Sequence, residues 1–130
     1  MKAANAISAY TKVGIESEIL CASPHKLIAL LIAGALRDIA NAKQGIERKE
    51  TVAKGLAIGR AISIIGDGLN GSLNMEEGGE LAHSLRRLYD YMTARLVEAN
   101  AKNDVAILDE VTRLLTEIKD GWNGIRPKNE

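Results

Sequence analysis

The sequence predicts an all-α protein, an antiparallel four-helix bundle with a short extra N-terminal helix or segment. Three observations predict it. Apolar residues recur every three or four positions over nearly the whole chain, the period of an amphipathic helix, and no strand-like alternation stands against it. The long periodic stretches are joined by short breaks, which favours antiparallel neighbours. Helix-capping residues stand where two of those stretches begin, at Ser23-Pro24 and Asn103-Asp104. The 130 residues are enough for one domain with one core. We therefore read residues 1–130 as a single unit: an N-terminal segment over 1–20, the bundle over 23–122 and a polar tail over 123–130.

In the N-terminal segment Ile7, Tyr10 and Val13 are spaced by three, but Gly14 interrupts the pattern, so a short, weak helix followed by an extended stretch is expected. The first long helix starts at Ser23-Pro24: serine accepts from free N–H groups, and proline loses nothing at the first helical position. Its stripe is Ile28, Leu31, Ala35, Ile39, Ala42 and Ile46. Leu27, Leu30 and Leu36 widen that stripe and make the helix central. Gly45 and the charged run 47–50 end it. The second helix starts near Thr51 with the stripe Ile58, Ile62, Ile65 and Leu69, with Val52 and Leu56 alongside, and fades at Gly66, Gly68 and Gly71. A loop over 74–79 leads to the third helix, about 80–100, with the stripe Leu81, Leu85, Leu88, Met92 and Leu96. Tyr89 and Tyr91 fall on different faces, so at most one is deeply buried. The fourth helix carries two rows: Ile107, Val111, Leu114 and Ile118, then Val105, Leu108, Leu115 and Trp122, with Trp122 as a core plug. Arg86 and Asp90, Glu98 and Lys102, and Asp109 and Arg113 are opposite charges four apart that mark the wet face, each pair worth about 0.2–0.5 kcal/mol.

Several function classes are disfavoured. Seventeen Lys+Arg balance seventeen Asp+Glu, so the basic excess of a nucleic-acid binder is missing, and three Tyr, one Trp and no Phe make a poor stacking platform. Cys21 stands alone and can form neither an intrachain disulfide nor a zinc cluster, which suits a reducing compartment. The longest apolar run, 27–36, is about half of the roughly 20 residues a membrane span needs, and the first ten residues lack an apolar signal core. A cytosolic protein is expected.

The motifs are weak. Gly66-Asp67-Gly68-Leu69-Asn70-Gly71 fits G-x-G-x-x-G, but that fingerprint needs a parallel sheet, so it reads as a fraying helix end. Glu80 and His83 fit E-x-x-H, but a two-metal bundle site needs two such pairs, and His25 has no Glu three before it. No metal site is expected; a small metal-binding or enzymatic bundle using His83 is the alternative. Gly55 and Gly59 form a G-x-x-x-G that in a soluble helix lets a neighbouring helix approach closely. No nucleophile triad, phosphate loop or acid/base pair stands out, so no catalytic residue, no cofactor and no enzyme activity are assigned.

The apolar surplus is more informative. The stripes of the first and fourth helices are wider than one neighbour covers, and the segment with Ile7, Tyr10 and Val13 is too short to stand alone. Either that segment packs permanently on the bundle, or it is a removable lid over a groove for a partner's amphipathic helix. Ile62, Ile65 and Leu69 are candidates for lining the groove; the alternative is that they are ordinary core.

A set of short pieces, in order, carries a family resemblance: Ala9-Tyr10; Ala22-Ser23-Pro24-His25-Lys26-Leu27; Gly34-Ala35; Ile64-Ile65; Gly78-Gly79-Glu80-Leu81; Leu88-Tyr89-Asp90-Tyr91-Met92; Glu98-Ala99-Asn100 with Asn103-Asp104; and Trp122. From about Ala9 to Trp122 the chain resembles the flagellar secretion chaperone family FliS. Ile32-Ala33 depart from the Tyr-Asp or Phe-Asp common there. The resemblance implies a cytoplasmic bundle that binds the disordered C-terminal segment of flagellin, prevents premature polymerisation and delivers it to the flagellar type III secretion apparatus. The implied partners are that segment and export-apparatus components; neither nucleic acid nor a membrane span is expected, and a monomer or weak dimer is. Tyr10 is the implied lid anchor by its match to the family, and Ile7 and Val13 join it by spacing.

Overall fold

Ser23 sets the start of the first helix. In the computed structural model, which describes residues 23–125, its hydroxyl oxygen accepts from the Lys26 amide at 3.1 Å, and Pro24 occupies the first turn. Helix α1 spans Pro24–Glu47 and buries Leu27, Leu31, Ile32, Ala35, Ile39 and Ala42. It passes through Gly45 and ends two residues later, where Lys49 at φ 58° turns the chain. Helix α2 spans Thr51–Ser63.

The second helix was expected to fade at Gly66, Gly68 and Gly71, and regular α-helix does end at Ser63, but the helical winding does not stop there. The backbone continues as a π-helical turn over Ile64–Leu69 and a 3-10 turn over Asn70–Ser72. The glycines weaken α-helical geometry, and the wider turn keeps Ile64, Ile65, Gly68 and Leu69 on the core side. The Ser72 hydroxyl donates to the Gly68 carbonyl at 2.6 Å and closes this stretch.

Helix α3 spans Gly79–Lys102 and α4 spans Val105–Gly124. The break before α3 requires glycine: a Cβ on Gly78 would lie 2.6 Å from both the Ala82 Cβ and the Asn74 carbonyl, and Gly79 has φ +57°. Asn103, in the left-handed conformation, ends α3, and the Asp104 side chain caps α4 by accepting from the Ala106 and Ile107 amides.

The four helices close a ring: α1 packs on α2 and α4, and α3 packs on α4 and α2, with the π-helical turn wedged against α1 and α3. Tyr89 is buried, which pushes its hydroxyl pKa up to about 12, whereas Tyr91 is exposed. Two positions differ from the sequence-based stripes. Leu81 is 67% exposed, and Ala82 faces the core in its place. Trp122 is half-buried; its ring stacks on His25 with centroids 4.7 Å apart, and its indole N–H donates to the His25 carbonyl at 3.0 Å. It therefore clasps the end of α4 to the start of α1 and does not plug the core.

α1 and α2 approach closely at Gly45. A Cβ on Gly45 would come within 3.0 Å of the Lys54 Cα and Cβ. Lys54 is itself buried, and its ammonium donates to the Asn100 carbonyl in the last turn of α3 at 2.9 Å. The charges also pair differently from the expected i,i+4 pattern. Glu98 does meet Lys102 at 3.1 Å, but Asp109 reaches across to Lys43 of α1 at 3.2 Å, and Asp90 accepts from Asn70 at 2.8 Å. Glu110 takes the Tyr91 hydroxyl at 2.6 Å and Arg95 at 2.8 Å, one on each carboxylate oxygen. These two partners, Tyr91 first, hold the Glu110 carboxyl below its ordinary value.

Gly45→Ala is expected to destabilise the fold by about 1–3 kcal/mol, because the new methyl group meets backbone. Gly59→Ala has open space around it and is expected to stabilise α2 by up to ~1 kcal/mol. Urea denaturation of both variants checks this, and equal effects would refute the packing argument. A carboxyl with a lowered folded pKa adds stability above its unfolded value of 4.5, and that contribution fades as the pH falls through the folded value. Glu110→Gln should therefore lose less melting temperature than wild type between about pH 6 and about pH 3.

Candidate partner-binding surface

At about 100° per residue, positions 52, 55, 56, 59 and 63 share one face of α2. The opposite face holds Lys54, Ala57, Ile58 and Ala61, all buried in the bundle. The outward face therefore consists of Val52, Gly55, Leu56, Gly59 and Ser63, with no charge among them. A surface helix normally turns charged and polar residues outward. Val52 is 77% exposed and Leu56 59%.

The two cations of α2 lie off this strip. Lys54 points inward to Asn100. Arg60 sits at one border, where its Nε donates to the Asp38 carboxylate on α1 at 3.3 Å. Asp38 is buried and its other oxygen has no partner, so burial outweighs Arg60 and pushes its carboxyl up. Half-buried Ile62 forms the opposite border.

The glycine pair does not serve the role the sequence suggested. A Cβ on Gly55 or Gly59 would meet nothing within 4 Å, so no helix of the described bundle uses the recess. The bundle takes its close approach at Gly45. What remains at Gly55 and Gly59 is a shallow saddle flanked by Val52 and Leu56, suited to receive the ridge of another helix.

Of the six residues singled out from sequence, Ile65 and Leu69 are buried in the core through the π-helical turn, and Ile62 is half-buried beside it. Ile7, Tyr10 and Val13 lie outside the described residues. His83 is exposed on α3, and among the described residues no group of three or more His, Cys, Asp or Glu could hold a metal ion. No described helix is long and apolar enough to cross a membrane. Sequence reasoning missed Val52 and Leu56 as surface residues. The available signal was the absence of charge at 52, 55, 56, 59 and 63 together.

The model of the family described as "Flagellar protein FliS" matches residues 6–129. The chain is 52% identical over 125 residues to the flagellar secretion chaperone FliSB of Pseudomonas aeruginosa, covering 96% of this chain and 98% of that protein. It is 44% identical over 128 residues to the flagellar secretion chaperone FliS of Salmonella typhimurium, covering 98% of this chain and 95% of that protein. The FliS of Escherichia coli is 38% identical over 122 residues, 94% of this chain and 90% of its own. With the helical bundle, the breadth of the family match and this level of identity in hand, the chain belongs to the FliS family of flagellar secretion chaperones.

Proposed function

We propose that this protein binds the disordered C-terminal segment of flagellin in the cytosol, keeps it from polymerising early and delivers it to the flagellar type III secretion apparatus. The observation that carries the reading is the uncharged outer face of α2, exposed in a chain whose relatives are named secretion chaperones.

Magnitudes bear on how much surface is needed. Ordering a disordered cargo costs about 2–5 kcal/mol or more. Covering Val52 and Leu56 returns about 1.5–3 kcal/mol each. The strip alone comes close to balance, so a firm complex requires further apolar surface. We assign that surface to a second region. The segment carrying Ile7, Tyr10 and Val13 acts as a displaceable lid, and cargo then reaches Ile62 and, after local opening, Ile65 and Leu69. No catalytic step enters this scheme, and the chaperone itself works as a monomer or weak dimer.

Titration calorimetry with a peptide of the flagellin C-terminal segment tests the reading. Leu56→Glu should weaken binding at least about tenfold while the melting temperature stays within a few degrees, because the side chain is exposed. Unchanged affinity would remove α2 from the site, and failure of the wild-type protein to bind the peptide would remove the function. Tyr10→Ala should change affinity more than it changes melting temperature; equal losses would make the segment a fixed part of the fold. Raising the salt to about 0.5 M should alter the affinity by no more than a few fold, since apolar contact is screened little. A steep fall would indicate charge pairing.

A further inference from the structure

One end of the bundle brings the α1–α2 turn beside the α3–α4 turn. Between them lies a cavity of about 430 Å³, open on one side and lined by Gly45, Ile46, Lys49, Thr51, Lys54 and Asn103. That volume falls within the range of small-ligand sites. We propose that this cavity binds an oxyanion, the carboxylate or phosphate group of a small ligand or peptide, a role separate from the apolar surface of α2.

Three features support it. The lining holds two cations and no acid. Neither Lys49 nor Lys54 pairs with a carboxylate among the described residues. Lys54 is only 6% exposed, and its three-donor ammonium makes a single hydrogen bond, to the Asn100 carbonyl. A buried cation matched only by a carbonyl favours an incoming anion. The second feature is the start of α2, which forms part of the wall at Thr51. Its capping residue, Glu50, is exposed and gives no side-chain hydrogen bond to the first turn, so the amides of these exposed residues are open to an incoming acceptor. The third is the shape of the rim. Lys49 and Asn103 are the described non-glycine residues with positive φ, at 58° and 53°, and both line this cavity. The two reversals bring a lysine side chain and an amide side chain to the same opening.

The test is a titration of ¹⁵N-labelled full-length protein with sodium phosphate and, separately, with sodium acetate, the ionic strength being held constant with sodium chloride. Saturable shifts of the Thr51, Val52, Ala53 and Asn103 amides are expected. Lys49→Gln should weaken them at least about fivefold without altering the fold, because Lys49 is exposed. Tighter phosphate binding would indicate a phosphate-bearing ligand, and tighter acetate binding a peptide carboxylate. Lys54→Met should abolish the shifts; if that variant fails to fold, Lys49→Gln carries the test. Non-saturating shifts spread over the surface, or saturating shifts that Lys49→Gln leaves intact, would overturn the site. Since flagellin binding is read through Leu56 and anion binding through Lys49, either proposal can fail while the other stands.

Discussion

The width of the buried arc on α1 governs the architecture. Leu27, Leu31, Ile32, Gly34, Ala35, Asp38, Ile39, Ala42 and Gly45 are all buried, and at about 100° per residue they cover roughly 160° of the helix. One neighbouring helix cannot cover such an arc. α2 takes one side, α4 the other, and the π-helical turn after α2 fills the space between α1 and α3. Gly45 lets α2 come close enough for Lys54 to reach the last turn of α3. The short turns at 48–50 and 103–104 then leave the remaining helices little choice of position.

Folding alone does not account for the outer face of α2. Each glycine inside a helix costs about 0.5–1 kcal/mol relative to alanine, and Gly55 and Gly59 have open space where an alanine methyl would fit. Exposed Val52 and Leu56 add nothing to the core. A helix needed only as a wall of the bundle would gain from alanine or charge at these positions. The same helix spends its single buried cation, Lys54, on the interior and turns Arg60 sideways onto Asp38. Both choices strip charge from the outward surface. An apolar, small-residue face is therefore a feature of this helix that the packing of the described bundle does not explain.

Much of the fold was legible because its signals are local. Ser23, Pro24, Asn103 and Asp104 act through their own backbone neighbours, so the starts of α1 and α4 follow from sequence. The different faces of Tyr89 and Tyr91 follow from helical pitch alone. The misreadings share another cause. Apolar periodicity reports that a residue is greasy at the right spacing; it does not report which side the neighbours occupy. Val52 and Leu56 were therefore placed beside the buried stripe, Leu81 was placed in it, and the glycine pair was given a neighbour it lacks among the described residues. Partners separated by a whole helix, such as Lys43 with Asp109 or His25 with Trp122, leave no mark in a single sequence. The candidate groove residues show the same limit: periodicity treats Ile62, Ile65 and Leu69 alike, while tertiary cover buries two of them fully and leaves the first at a border.

Charge and grease are segregated in this bundle, and the segregation bears on how a chaperone can hold and release a chain. The α3–α4 seam carries Tyr91, Arg95, Glu98, Lys102 and Glu110 in one connected network. Such exposed pairs contribute little individually, but a network fixes the register of two helices without drawing on the core. Neither that seam nor the core of the described bundle draws on Val52, Leu56, Gly55 or Gly59. Under the proposed function, contact with the α2 strip leaves the helices as they are, whereas reaching Ile65 and Leu69 requires local opening of the π-helical turn.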